Sequence, residues 1–331
     1  MSDQTPPKSE TPASPPSAAP VRLKELGGFE LIVKVGQGGM GTVFKARQKS
    51  LDRIVALKVL PSQIARDTQF IERFQREARA SAKFNHPNIV NGIDVGKAAA
   101  TGLWFFAMEF VDGPSLKEVL QKEKVIPEAR VLAIARDIAK ALECVAANGM
   151  VHRDIKPDNI LMTTRGEPKL ADLGLAKQLS DDSSLTQSGK AVGTPFYMAP
   201  EQARGKLDEI DIRTDIYALG GTMFHLLTGQ PPFNGETAPV IMAKHLTDAA
   251  PKASKVNPAI SDATSRLIER MMQKKHEQRV QTPAELRQLI EKIIEGGVET
   301  RQPTARVPEI RQTTATPKSR SPGLLVAAGL V

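Results

Sequence analysis

Between Val151 and Met162 the chain reads VHRDIKPDNILM. A histidine, an arginine, two aspartates, a lysine and an asparagine crowd into eight positions, and an apolar run follows at once. Polar side chains this dense, running into ILM, describe a loop that enters a buried strand. Asp154, Lys156 and Asn159 stand two and five residues apart. A carboxylate so placed can orient and accept the proton of an attacking hydroxyl. An amide oxygen can ligate a hard divalent cation, and an ammonium can stand beside a transferring phosphoryl group. Phosphoryl transfer needs those three functions and a second acidic metal ligand from a neighbouring loop. Asp172 of KLADLGLA, at the end of a short strand and just before Gly174, supplies that ligand.

Other elements must hold these groups. FELIVKV, TVFKAR and RIVALKVL (29–35, 42–47 and 53–60) read as three strands. Gly36, Gly38, Gly39 and Gly41 fall between the first two in a G-x-G-x-x-G pattern. Alone the pattern is weak. A dinucleotide-binding turn needs a helix directly after it, and a plain hairpin needs no ligand at all. The β-rich context favours a loop whose backbone N–H groups close over a polyphosphate. Lys58, in the middle of VALKVL, is costly to bury without an anionic partner. In DTQFIERFQREARASAKF, Phe70, Ile71, Phe74, Ala78 and Ala82 recur at helical spacing, and Asp67 can cap the start. Glu77 lies near that stripe. Its ordinary reading is a solvated charge, and its sharper reading is the partner of Lys58. LWFFAMEF reads as a buried strand, and a helix starts near Ser115. PEARVLAIARDIAKALECVAANG is a long amphipathic helix, with Pro127 in its first turn, Val131, Ile134, Ile138, Leu142 and Val145 along its stripe, and Gly149 at its end.

Composition sets the outer bounds. The 331 residues suffice for one large or two ordinary domains. The net charge of +8 describes either a solvated basic surface or an affinity for phosphate groups or an anionic membrane. The single cysteine, Cys144, excludes an intramolecular disulfide and a cysteine-cluster metal site, and its helical, apolar setting makes it a core residue. Aromatic content of 4% offers no stacking platform, which argues against nucleic acid as a partner. The N-terminus has no apolar signal segment, so a cytoplasmic location is expected. Residues 1–27 are rich in Pro and Ser, and residues 297–331 in Thr, Pro and Arg, so both ends are expected to be disordered. The chain closes on GLLVAAGLV (323–331), nine residues against the roughly 20 that cross a bilayer. With Lys318 and Arg320 before it, this run reads equally as the start of a longer span or as an apolar tail. Membrane contact is expected only through it.

The glycine loop, VALK, HRDIKPDN, DLG, GTPFYMAPE and DIRTDIYALG occur in this order. In combination they resemble the eukaryotic-type protein kinases, and most closely the bacterial serine/threonine kinases of that family, over roughly Phe29 to Ile294. The resemblance implies an α+β, two-lobed protein kinase fold. A small β-rich N-lobe (28–108) with one key helix would be joined by a hinge (109–113) to a larger, mainly helical C-lobe (114–296). ATP and Mg²⁺, with Mn²⁺ as an alternative, would be the cofactors, bound in the cleft.

The resemblance also assigns roles. The loop from Val35 to Val43, with Gly36, Gly38, Gly39 and Gly41, would cover ATP, and Val35 and Val43 would touch the adenine or ribose. Ala56 would roof the adenine and Leu161 floor it. Lys58 would bind the α- and β-phosphates, held by Glu77. Glu109 and Val111 would offer hinge backbone groups, with Met108 as gatekeeper. Asp154 would be the catalytic base, Asn159 and Asp172 the Mg²⁺ ligands, and Lys156 the mark of serine/threonine rather than tyrosine specificity. Glu201 is expected to pair with Arg279, and Asp215 to brace the catalytic loop. Leu173 departs from the commoner Phe of the metal-binding motif. In the hydroxyl-rich segment 174–199, Thr186 or Ser188 is the expected autophosphorylation site, read by Arg153, with Thr194 facing substrate. Protein substrates, and self-association for phosphorylation in trans, would follow. A catalytically dead scaffold would be expected to lack Lys58, Asp154, Asn159 or Asp172. A small-molecule phosphotransferase would usually lack the APE segment and the long loop.

Overall fold

The computed structural model describes residues 24–38, 41–61, 68–172 and 195–297, apart from the side chains of residues 69, 73, 76, 77 and 80. Gly39, Asp67, the Glu77 side chain, Leu173, Thr186, Ser188, Thr194 and residues 1–23 and 298–331 therefore lie outside the described residues. Within the N-terminal stretch expected to be disordered, Glu25 and Leu26 instead pair with Glu30 and Phe29, and burial of Leu26 holds them there.

The first lobe is a six-stranded antiparallel sheet in the order β1-β2-β3-β4-β6-β5. Its strands are β1 (Glu25–Leu26), β2 (Phe29–Gly38), β3 (Gly41–Gln48), β4 (Arg53–Val59), β5 (Gly92–Lys97) and β6 (Trp104–Glu109). In β4 the period of two separates the two faces. Val55 and Leu57 are fully buried on one face, while Ala56 and Lys58 share the other. Register aligns Val43 with Lys58 and Lys45 with Ala56, so the glycine hairpin and the lysine meet on that second face. Helix α1 (Thr68–Ser81) packs its Phe70, Phe74 and Ala78 stripe inward, with Phe74 edge-on to Phe106 of β6 at 6.3 Å. The edge strand β5, GIDVGK, alternates only over Ile93, Asp94 and Val95 and is flanked by glycines, too short a pattern to mark a strand on its own.

The second lobe is helical around one small hairpin, β7 (Ile160–Met162) with β8 (Pro168–Leu170). Helix α2 (Leu116–Glu123) begins at a capping box, in which the Ser115 hydroxyl accepts from Glu118 N–H and the Glu118 carboxylate accepts from Ser115 N–H. Helix α3 (Glu128–Ala147) buries Val131, Leu132, Ile138, Leu142 and Val145 completely. Pro127 is its N-cap, one place ahead of the first turn that its type suggests. Gly149, at φ +67°, turns the chain out of the helix. Next come α4 (Pro200–Ala203), α5 (Ile212–Thr228), α6 (Ala238–Thr247), α7 (Ala253–Val256), α8 (Asp262–Met271) and α9 (Pro283–Glu295). Helix α5 is buried on nearly every side and forms the centre of this lobe, with α3, α8 and α9 packed around it. Cys144 is half-buried against the same core. Among the described residues no helix is long and apolar enough to cross a membrane.

A second apolar cluster joins the lobes. Val43 and Ala56 from the sheet, Leu161 of β7 and Ala171 just past β8 all pack against a cluster that includes Phe106, Met108 and Val111.

Candidate active site

The loop before β7 carries the polar residues singled out above. Pro157 opens a single 3-10 turn, Pro157–Asn159, that feeds directly into β7. Ile160 and Met162 anchor that strand by burial. The turn folds Asn159 back onto Asp154, and the Asn159 amide donates to the Asp154 carbonyl (2.8 Å) and to its Oδ2 (2.9 Å). Lys156 Nζ meets the same Oδ2 at 2.6 Å. The three residues therefore gather on one carboxylate oxygen, as their spacing suggested.

Asp172 arrives from β8. The ladder runs one step past the hairpin, with Ala171 N–H bonded to Asn159 C=O at 2.8 Å. Asp172 then takes a left-handed conformation, φ +57°, which breaks the strand. Its Oδ1 lies 2.9 Å from Lys58 Nζ. Lys58 is 5% exposed, so its charge needs this partner. The sequence pointed to Glu77, whose side chain lies outside the described residues. The described partner of Lys58 is Asp172, a contact between residues 114 positions apart that no local pattern signals.

The hinge residues also fall together. Glu109 ends β6, and its N–H donates to Asn91 C=O at 2.9 Å, so its carbonyl is the backbone group left to offer. Its carboxylate is clasped by Lys169 Nζ at 2.9 Å, an inter-lobe tie that sequence reasoning missed. Val111 and Met108 are buried in the cluster that also holds Val43, Ala56 and Leu161. Gly36 pairs with Val43, and Gly38 with Gly41, in the hairpin above. Gly41 is needed there, because at φ +132° a Cβ would stand 2.1 Å from the Val59 carbonyl oxygen.

Beneath the loop lies a buried polar base. Asp215 of α5 accepts from His152 N–H and Arg153 N–H, each at 2.7 Å. His152 is fully buried, and its Nδ1 accepts from Asp154 N–H at 3.2 Å. Its Nε2 therefore carries the proton and donates to the Ala171 carbonyl at 2.9 Å. This imidazole links the two loops that bear Asp154 and Asp172, and neither loop alone announces it. The expected Glu201–Arg279 pair is bidentate, at 2.9 and 2.8 Å, with both residues sealed from solvent. Burial alone would raise the Glu201 pKa. The Arg279 guanidinium and the Thr214 hydroxyl outweigh it and hold that carboxyl at about 2, below an ordinary 4.5. Nearby, the Tyr197 hydroxyl meets His225 Nδ1 at 2.6 Å with the rings stacked. Burial pushes the tyrosine up and the histidine down.

Comparison with known proteins agrees with this geometry. A profile of the protein kinase domain matches residues 29–292. The serine/threonine-protein kinase pkn3 of Myxococcus xanthus is 43% identical over 249 residues, covering 72% of this chain and 45% of that protein. The serine/threonine-protein kinase PknB of Mycobacterium leprae is 38% identical over 261 residues, covering 78% of this chain and 42% of that protein. The chain thus spans less than half the length of these relatives. A crystal structure of the Mycobacterium tuberculosis PknI kinase domain superposes with a TM-score of 0.65 at 29% identity, covering 82% of this chain and 97% of that one.

Proposed function

The chain belongs to the protein kinase domain family, and on that footing we propose that it transfers the γ-phosphoryl group of ATP to serine and threonine hydroxyls of proteins. One observation carries the reading: Lys156 and Asn159 converge on a single oxygen of Asp154, at 2.6 and 2.9 Å. A carboxylate so fixed can orient a hydroxyl and accept its proton. Lys156 offsets charge on the group in transit. Lys58 exchanges Asp172 for the α- and β-phosphates, with Glu77 as its alternative partner. Val35, Val43, Ala56 and Leu161 enclose the adenine, and Glu109 and Val111 present backbone groups to it. The hairpin glycines, Gly36, Gly38, Gly39 and Gly41, close over the phosphates.

Asn159 and Asp172 would hold Mg²⁺, or Mn²⁺ in its place. The Asn159 amide spends its N–H₂ on Asp154, which leaves its oxygen as a donor to metal. Two protein oxygens suit an ion that keeps most of its coordination for water and phosphate. Among the described residues no cluster of three or more His, Cys, Asp or Glu offers a fuller cage. When bound, the ion neutralises charge on the phosphate oxygens. Lys58, Asp154, Asn159 and Asp172 are all present, which speaks against a scaffold that has lost catalysis.

Protein substrates and phosphorylation in trans at Thr186 or Ser188, with Thr194 in the substrate-facing part of the loop, complete the proposal. Phosphatase-treated protein, incubated with Mg-ATP, should gain phosphate in intact mass spectra, and Asp154→Asn should gain none. The general base is worth roughly 10²- to 10⁴-fold in rate. Equal incorporation in both proteins, or none in either together with none on a generic basic protein, would refute the assignment.

A further inference from the structure

The peptide unit between Arg153 and Asp154 is pinned at both ends. Its N–H, from Asp154, is held by His152 Nδ1 at 3.2 Å. Its carbonyl, from Arg153, accepts from the side-chain amide of Gln202 at 3.0 Å. A peptide is planar, so fixing its oxygen and its N–H fixes the plane on which the Asp154 Cα is carried. The plane needs fixing, because Arg153 stands at φ +67°, a left-handed conformation that strains a non-glycine residue. The other ties around Asp154 come from Asp215 below and from Asn159 within the loop itself. Gln202 alone among them belongs to α4, which follows the segment 195–199. Its own amide is oriented too, since its Oε1 accepts from Ala199 N–H at 3.1 Å.

We propose that Gln202 is a positioning residue for Asp154, coupling the seating of the segment 195–203 to the aim of the catalytic carboxylate. The inference rests on the phosphoryl-transfer reading above. When the segment is seated, the Gln202 amide holds the strained Arg153 carbonyl and Asp154 faces the cleft. When the segment shifts, that hold is released first, because the remaining ties do not involve it. The segment that receives a protein substrate thereby reports to the base through one hydrogen bond.

Two variants separate this role from plain packing. Gln202→Glu keeps the acceptor for Ala199 N–H and sets a carboxylate oxygen against the Arg153 carbonyl. Gln202→Met keeps similar bulk and removes both bonds. With a generic basic protein as substrate, kcat should fall about 10- to 100-fold in both variants while KM for ATP stays within about twofold. The thermal midpoint should hardly move, and amide hydrogen exchange at residues 152–154 should quicken. Unchanged kcat per folded molecule, or a fall in kcat matched by loss of ATP affinity and of fold, would overturn the proposal. If the unsubstituted protein transfers no phosphate, the kinase reading fails separately. The exchange measurement then decides alone, and unaltered exchange at residues 152–154 in Gln202→Met overturns the positioning role.

Discussion

Around Asp154, five backbone polar groups are tied to side chains: the N–H of His152, both groups of Arg153 and both of Asp154. Across the cleft, the glycine hairpin hangs mainly on its own ladder. Val35 is 51% exposed, and among the described residues a Cβ built on Gly38 would find no heavy atom within 4 Å. One wall of the cleft is over-determined and the other is open. The proposed function accounts for the division. With Asp154 as base, a misplacement of about an ångström would cost much of its effect, which suits a loop held from several elements at once. With the hairpin as a cover, lifting to admit and release nucleotide would suit a segment restrained by few contacts.

That contrast can be tested from its strongest support outward. Glu201→Ala strips the buried Arg279 of its carboxylate and should destabilise the large lobe by about 3–5 kcal/mol, read from denaturant unfolding. Acid titration provides a companion test. The Glu201 pKa is depressed to about 2, so its contribution is fully present above pH 4.5 and is lost as pH falls toward 2. The stability of Glu201→Gln should therefore lie below that of the unsubstituted protein at neutral pH and change less over that window. Asp215→Asn comes next. It keeps one acceptor for two buried N–H groups and should cost about 1–3 kcal/mol, with a loss of turnover that exceeds any loss of nucleotide affinity. A comparable loss from both would mean that the loop is no more sensitive than its surroundings. The smallest effect belongs to the cover. Gly38→Ala should change stability by less than about 1 kcal/mol and act mainly on KM for ATP. Gly41→Ala, which drives a Cβ into the Val59 carbonyl, should unfold the hairpin and serves as its control. Large destabilisation from Gly38→Ala would erase the distinction between the two walls.

Much of this arrangement could be read from the chain because the relevant interactions are short in sequence. Asp154, Lys156 and Asn159 lie within six residues, and TVFKAR in the second strand of the hairpin alternates. The helix from Glu128 to Ala147 declares its buried stripe for the same reason. The parts that escaped notice depend on distant partners. Glu128 is 8% exposed at the start of that helix because its carboxylate accepts from Ser261 N–H and Oγ, 133 residues away. The clasp of Lys169 on Glu109 and the bridge through His152 join segments whose proximity only the fold creates. Edge strand β5 alternates only over Ile93, Asp94 and Val95 between glycines, so its pairing with β6 rather than its composition makes it a strand. The bond from Gln202 to Arg153 is hidden in the same way, since nothing local distinguishes that glutamine from a solvated one.

The apolar seam between the lobes has a calorimetric consequence. Val43 and Ala56 above, and Leu161 below, border one cluster that draws on both halves of the molecule. A flat aromatic ring entering there takes apolar surface out of water on both of its faces at once. Such an event lowers the heat capacity, so the enthalpy of nucleotide binding becomes more exothermic with each degree of warming. A nucleotide held as proposed would touch both lobes, so the occupied protein should melt in a single, sharper transition at a higher temperature than the empty one.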